Sequence, residues 1–347
     1  MNKKPDNNII DLRLKNPAVI FSIVFSLSIL TMPISSWAKE YPSDIVSQSL
    51  DQVEEQIYHD WKAKLDLSAG YRIDKLKWNI AGNSSGTSPN ILSELTWEDT
   101  EIYQVRGKAG LSWKSYLVEG SAGYGKIFDG KNQDSDYLAD NRTLEFSRSN
   151  NGVDGDDVLD LSGGVGYQIE LKNRETRASW GVNHLSITPL LGYSYHQQNL
   201  HIIDGFQTIP ATGSFGGLHS TYETEWKGPW FGLELAGERK KMTGYLRMEY
   251  HIADYYAKAN WNLRSDFKHP KSFEHTADGY GLIFGFGTGY KLNDRWAINL
   301  NGDIQNWRAD DGIDRTFFSN GTSAETRFNE VEWDSFSAML GMSYFLE

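Results

Sequence analysis

From Trp61 onward the chain alternates between apolar and polar residues. Leu65, Leu67, Ala69 and Tyr71 interleave with Lys64, Asp66, Ser68 and Arg72. Tyr103, Val105, Ala109, Leu111 and Trp113 interleave with Gln104, Arg106, Lys108 and Ser112. The pattern returns in Phe231, Leu233 and Leu235, in Leu282, Phe284, Phe286 and Tyr290, and in Trp296, Ile298, Leu300 and Ile304. It ends in Phe336, Ala338, Leu340, Met342, Tyr344 and Leu346. A period of two puts one set on each face of a β-strand. Charged residues recur on the second face of nearly every strand, as the wet lumen of a barrel permits.

The connections alternate in length. Short turns fall near Lys114 and at 172–177, 238–242 and 291–294, and long polar segments at 81–92, 128–156, 201–216, 259–274 and 309–328. Four short turns on one side and five long connections on the other predict ten antiparallel strands, with both chain ends on the periplasmic side. Closure into a ring satisfies every backbone group inside a bilayer, which an open sheet cannot do. The expected fold is therefore all-β: a ten-stranded antiparallel transmembrane barrel of the outer membrane.

The N-terminus has a different character. Lys3, Lys4, Arg13 and Lys15 precede an apolar run from Ala18 to Met32, broken by Pro33 and followed by Ser36-Trp37-Ala38. A basic stretch, an apolar stretch and small residues at −3 and −1 predict a cleaved secretory signal peptide over 1–38. In 39–60, Ile45, Val46, Leu50, Val53 and Ile57 recur at helical spacing behind Ser43 and predict a short periplasmic helix. Residues 61–347 form the barrel domain, with no internal repeat and no second domain.

Composition narrows the function classes. The 12 Trp, 18 Tyr and 16 Phe suit aromatic girdles at two membrane interfaces. No cysteine is present, so neither a disulfide frame nor a thiolate metal site is available. The net charge of −12 argues against a nucleic-acid partner and leaves basic peptides or divalent cations as partners for outward acidic loops. No metal site is expected: Asp154, Asp156 and Asp157 read as a solvated acidic loop, and the histidines form no ligand-spaced cluster. The glycines of Gly163-Gly164-Val165-Gly166 lie inside an alternating strand and read as strand packing rather than a phosphate loop.

One segment carries sharper chemistry. Asp134-Ser135-Asp136-Tyr137 opens the second long connection. Carboxylates two residues apart on a strand extension point the same way, and such a pair can hold a water and share a proton. The plainer reading of these residues is a solvated acidic loop.

The chain resembles the omptins, ten-stranded outer-membrane proteases that include plasminogen activators. The likeness runs through Leu92-Ser-Glu-Leu-Thr-Trp97, Leu111-Ser-Trp113, Gly120-Ser-Ala-Gly-Tyr124 and Asp134-Ser-Asp-Tyr137. It continues in Leu191-Gly-Tyr193 on strand five and in Tyr222-Glu-Thr-Glu-Trp-Lys-Gly-Pro-Trp-Phe-Gly232. The resemblance implies that Asp134 and Asp136 are a catalytic pair facing an Asp-x-His dyad, whose imidazole takes a proton from the attacking water. Counting along strand seven places the dyad slots on Asn260 and Asn262, and Asn cannot take that proton. Asp266 and His269, or His275, are the nearby replacements. The resemblance also implies a lipid-phosphate site on the outer wall, matched here by Tyr193 and Lys227. The arginine expected on strand six is Glu225, which reverses a phosphate contact.

Three functions follow as expectations. The first is an omptin-like barrel with an eroded protease site, inactive or weakly active, that acts through its extracellular loops. The second is an active endopeptidase cutting at basic residues with Asp134, Asp136 and a displaced His. The third is a small passive channel. The expected partners are outer-membrane lipid or lipopolysaccharide and an extracellular peptide or host protein. No cofactor is expected beyond lipopolysaccharide.

Overall fold

The computed structural model describes residues 61–171 and 181–346. The signal peptide, the helix expected in 39–60 and the turn at 172–177 lie outside the described residues. The strands are β1 (Trp61–Ile80), β2 (Ser93–Trp113), β3 (Tyr116–Ala139), β4 (Thr143–Gly152), β5 (Asp157–Tyr167), β6 (Ile169–Glu170), β7 (His184–Ile209), β8 (Gly213–Ser214), β9 (Ser220–Arg239), β10 (Met242–Asn260), β11 (Phe273–Lys291), β12 (Trp296–Phe317) and β13 (Ser323–Leu346). All pairings are antiparallel, and β1 closes the ring on β13 from Ala63↔Leu346 to Ile80↔Phe328. Strands β5 and β4 share one position between β3 and β7, β5 below and β4 above. The two-residue β6 and β8 only flank β7. The barrel thus has ten staves, as the alternation predicts.

The bilayer level is legible on the outer wall. Outward residues run apolar up to Tyr71 and Ile73 on β1 and then become Lys75 and Lys77. The same switch occurs from Tyr103 to Glu101 on β2, Phe231 to Lys227 on β9, Tyr280 to Asp278 on β11 and Phe336 to Asp334 on β13. The lower edge carries ring contacts Trp61–Trp113 (6.0 Å), Tyr116–Tyr167 (5.3 Å) and Trp296–Tyr344 (4.7 Å), and the upper edge Tyr103–Phe128 (4.2 Å) and Tyr250–Tyr280 (6.1 Å). Interfacial aromatics of this kind fix a barrel's depth.

The strands continue well above that level. A spanning strand needs ~10 residues, yet β3 has 24 and β7 has 26. The segments 128–156, 201–216 and 309–328, expected as long loops, are largely paired strand. Outside lipid a ladder needs no apolar outer face, so the outer positions turn polar and the strict alternation that marks a spanning strand weakens. The outer face there carries cross-strand ion pairs such as Lys75–Glu98 (2.6 Å), Lys77–Glu332 (2.8 Å) and Lys258–Glu223 (2.7 Å). Between β3 and β4 the true turn is short, with Asn141 and Arg142 at φ 59 and 60, as a primed hairpin turn requires.

Inside, the barrel has three levels. The upper lumen is packed by a buried aromatic cluster that includes Trp78, Trp97, Tyr222, Trp226, Tyr255, Trp307 and Trp333. Glycine makes room for such rings: a Cβ on Gly281 would lie 2.4 Å from the Trp307 ring of this cluster. Below the rings, Arg72 donates to Asp74 (2.7 and 2.6 Å) and Asp160 (2.8 Å), and Arg106 to Asp303 (2.8 Å). Beneath this layer lies a cavity of about 1030 Å³, lined by Lys108, Glu119, Arg247, Glu249 and the residues of the short turns.

Candidate functional site

The Asp134–Asp136 pair sits on β3 above the lipid belt. Across the ladders Asp134 faces Leu95 and Ser149, and Asp136 faces Ser93 and Ser147. Asp134 accepts a hydrogen bond from Trp261, and its Oδ1 is buried without a partner. Asp136 accepts from Ser93 and Ser147. Burial pushes the Asp134 carboxyl up to about 8; the charge of Asp136 adds to this, while Trp261 and Arg264 oppose it. Burial likewise raises Asp136, against the pull of Ser93, Arg264 and Ser147. At neutral pH the pair therefore holds a proton, as two close, dry carboxylates must.

The loop joining β10 and β11 supplies what faces this pair. Trp261 and Arg264 act on it directly. Arg264 is fixed by Asp266 (2.9 Å at both oxygens) and lies over the Phe267 ring at 4.0 Å. The two asparagines in the dyad slots brace the loops. Asn260 Oδ1 lies 2.7 Å from His269 Nδ1, while Asn262 accepts from the His219 amide (2.9 Å) and donates to the Gly217 carbonyl (2.7 Å). His269 also turns Nε2 to the Arg264 carbonyl oxygen at 3.2 Å. Its ring thus faces acceptor oxygens on its own loop.

His275 is fully buried within the aromatic cluster. Its Nε2 lies 3.1 Å from Asp314 Oδ1, a carboxylate that can only accept, so Nε2 carries the ring proton. Nδ1 then accepts from the Tyr222 hydroxyl (2.8 Å), and Tyr255 donates to Tyr222 (2.7 Å). Thr326 donates to the other Asp314 oxygen at 3.0 Å. The relay is internally satisfied and enclosed by Trp78 (ring centroids 4.7 Å from His275) and Phe328 (4.2 Å). Sequence reasoning named His275 but missed Tyr222, Tyr255, Asp314, Trp261 and Arg264 as its partners or those of the acidic pair. The inward alternation on β9 and β10 was the available signal for the two tyrosines.

On the outer wall, Tyr193 is 55% exposed on β7, and Lys227 lies on β9 across from Tyr195. The Lys227 ammonium stands 3.8 Å from Glu225, which also accepts from Tyr195, so its charge is already met by an acid. In the acidic loop, Asp156 pairs with His201 (3.0 Å), and Asp157 accepts from Tyr124 (2.9 Å) and Asn199 (2.6 Å).

A closed ring of ten antiparallel strands with an aromatic-edged apolar outer belt defines an outer-membrane β-barrel. The family model for the Protochlamydia outer membrane protein, Pom, matches residues 66–346, and the chain belongs to that family. No curated protein matches the chain. Among solved structures it is similar to the outer membrane protease OmpT from Escherichia coli, with 13% identity over 82% of this chain and 97% of that one, at a TM-score of 0.67. That likeness shows the fold alone. The translocator domain of autotransporter NalP from Neisseria meningitidis matches at 11% identity over 87% of this chain and 95% of that one, with a TM-score of 0.34. OprG from Pseudomonas aeruginosa matches at 12% over 82% and 96%, with a TM-score of 0.29. The protein resides in the outer membrane.

Proposed function

We propose that this barrel is a non-proteolytic, or at most weakly proteolytic, outer-membrane protein that acts by recognition through its extracellular hairpins. One observation carries the reading: Asp134 and Asp136 are met by Trp261 and Arg264, where hydrolysis needs a base to take a proton from water. An arginine near the pair favours its ionised form and offers no lone pair to take a proton. The filled upper lumen also speaks against the passive channel, since ten strands leave little open bore once side chains fill it.

The recognition surface is acidic. Residues 128–157 hold eight acidic and three basic side chains, which favours a basic extracellular peptide or host protein segment. Tyr193 and Lys227 would contact outer-leaflet lipid, including lipopolysaccharide, with Glu225 weakening any phosphate contact.

The alternative is an endopeptidase cutting at basic residues with Asp134, Asp136 and His269. It draws support from the raised carboxyl pair, which suits a shared-proton mechanism. The two separate in one assay on the folded barrel reconstituted with lipopolysaccharide. The proposal expects no cleavage of a peptide library rich in dibasic sites. Cleavage that vanishes in Asp134→Asn/Asp136→Asn would establish the protease instead.

A further inference from the structure

Above the lipid belt, one row of outward side chains crosses four staves without a break. Thr96 on β2 stands opposite Gln133 on β3, Gln133 opposite Asn150 on β4, and Asn150 opposite Phe206 on β7. Directly opposed residues share a face and lie ~5 Å apart, so the four side chains form one continuous strip. Thr96, Gln133 and Asn150 line a notch of about 410 Å³ together with Glu98 and Lys131, and Phe206 adjoins it across from Asn150; the volume is within the roughly 300–1,000 Å³ range of small-molecule sites.

The chemistry of the strip is selective. Among the described residues, the Asn150 amide makes no side-chain hydrogen bond, and Gln133 uses one donor, to Ser135 Oγ at 3.2 Å. Phe206 ends the strip with a ring 48% exposed. The nearby charges are already matched: Glu98 by Lys75 at 2.6 Å, and Lys131 by Asp99 at 2.8 Å. An ionic ligand would compete with those pairs for little gain. What remains open is a set of neutral donors and acceptors beside an apolar ring face. A sugar ring matches it, with hydroxyls that both donate and accept around an apolar C–H face.

We infer that this strip binds a neutral sugar unit, and that the sugar belongs to a glycan anchored in the same membrane. Height argues for that source. Thr96 lies seven residues above Tyr103, the aromatic at the bilayer edge, or roughly 20 Å along the strand at ~3.3 Å per residue. Sugars carried on outer-leaflet lipids stand at that level. The site is separate from Tyr193 and Lys227, which lie at the lipid edge, and it does not depend on whether the acidic pair cleaves peptides.

The test uses the full barrel in nanodiscs. Three probes are compared: lipopolysaccharide with its complete core, a deep-rough lipopolysaccharide lacking core sugars, and the delipidated core oligosaccharide. The expected result is preference for the complete over the deep-rough form, and saturation-transfer signals from the free oligosaccharide. Gln133→Ala/Asn150→Ala should weaken both roughly tenfold, as the loss of one or two hydrogen bonds implies. Phe206→Ala should do the same and Phe206→Trp should restore binding, while the heat-modifiable gel shift of every variant stays that of the folded barrel. Equal binding of both lipopolysaccharides, or oligosaccharide signals unchanged in the variants, would overturn the site. Variant-sensitive binding of soluble glycans without preference between the two lipopolysaccharides would uphold the strip and overturn the membrane source.

Discussion

Replacing Asp134 by Asn should make the barrel more stable at alkaline pH and change little at acid pH. The folded protein holds the Asp134 carboxyl up at about 8, chiefly by burial, against an ordinary value of 3.8. Between those values the unfolded chain has lost the proton that the folded protein still binds, so stability falls as pH rises. Each pKa unit corresponds to about 1.4 kcal/mol, which sets an upper bound of roughly 5–6 kcal/mol above pH 8. Asp134 is only half-buried as a residue and is served by Trp261 and Arg264, so relaxation should leave about 2–4 kcal/mol. Asn keeps the shape and the acceptor for Trp261 while removing the ionisation. Denaturant unfolding of wild type and Asp134→Asn in detergent micelles, followed by tryptophan fluorescence from about pH 3, below the ordinary carboxyl value, to pH 9, measures the difference. The two curves should nearly coincide at the acid end and diverge steadily toward the alkaline end, the variant above. Parallel curves over the whole range would refute the assignment of a dry, proton-holding pair. They would return Asp134 to a solvated acidic loop.

Two further predictions rest on the lumen. Arg72→Met should destabilise the barrel by roughly 3–5 kcal/mol, because it leaves Asp74 and Asp160 buried without their cation; a fall in the denaturant midpoint is the readout, and an unchanged midpoint would mean that the layer is wet. Trp226→Ala/Trp307→Ala should open the aromatic plug toward the lower cavity, so that planar bilayers show measurable conductance where the wild-type barrel shows little; equal conductance would place the barrier elsewhere.

The relation between sequence and structure differs from element to element. The ring of ten staves was readable, because the period of two is a local property and lipid forces it to be strict. Ten strands and their order follow from it, whereas Asp134 and Asp136, read as opening the second long connection, lie within the paired third strand. The upper hairpins were not readable as strands, since both faces of β4 and of the ends of β7 and β12 meet water or polar neighbours. The resemblance placed the dyad slots on Asn260 and Asn262, and what the structure adds is that both side chains brace the loop.

What the sequence determined by itself was therefore the wall: strand number, connectivity, and inward and outward faces. The contents of the barrel came only with the tertiary structure. Tyr222, Tyr255, His275 and Asp314 stand on four different strands, and Thr96, Gln133, Asn150 and Phe206 on four others. Such sets meet only when the stagger between neighbouring strands is known. That stagger depends on bulges, such as those between Glu98 and Ile102 and between Asp136 and Tyr137, which local alternation does not reveal. The same holds for Trp261 and Arg264: their loop follows β10, yet both act on the acidic pair of β3, a meeting that no spacing along the chain encodes.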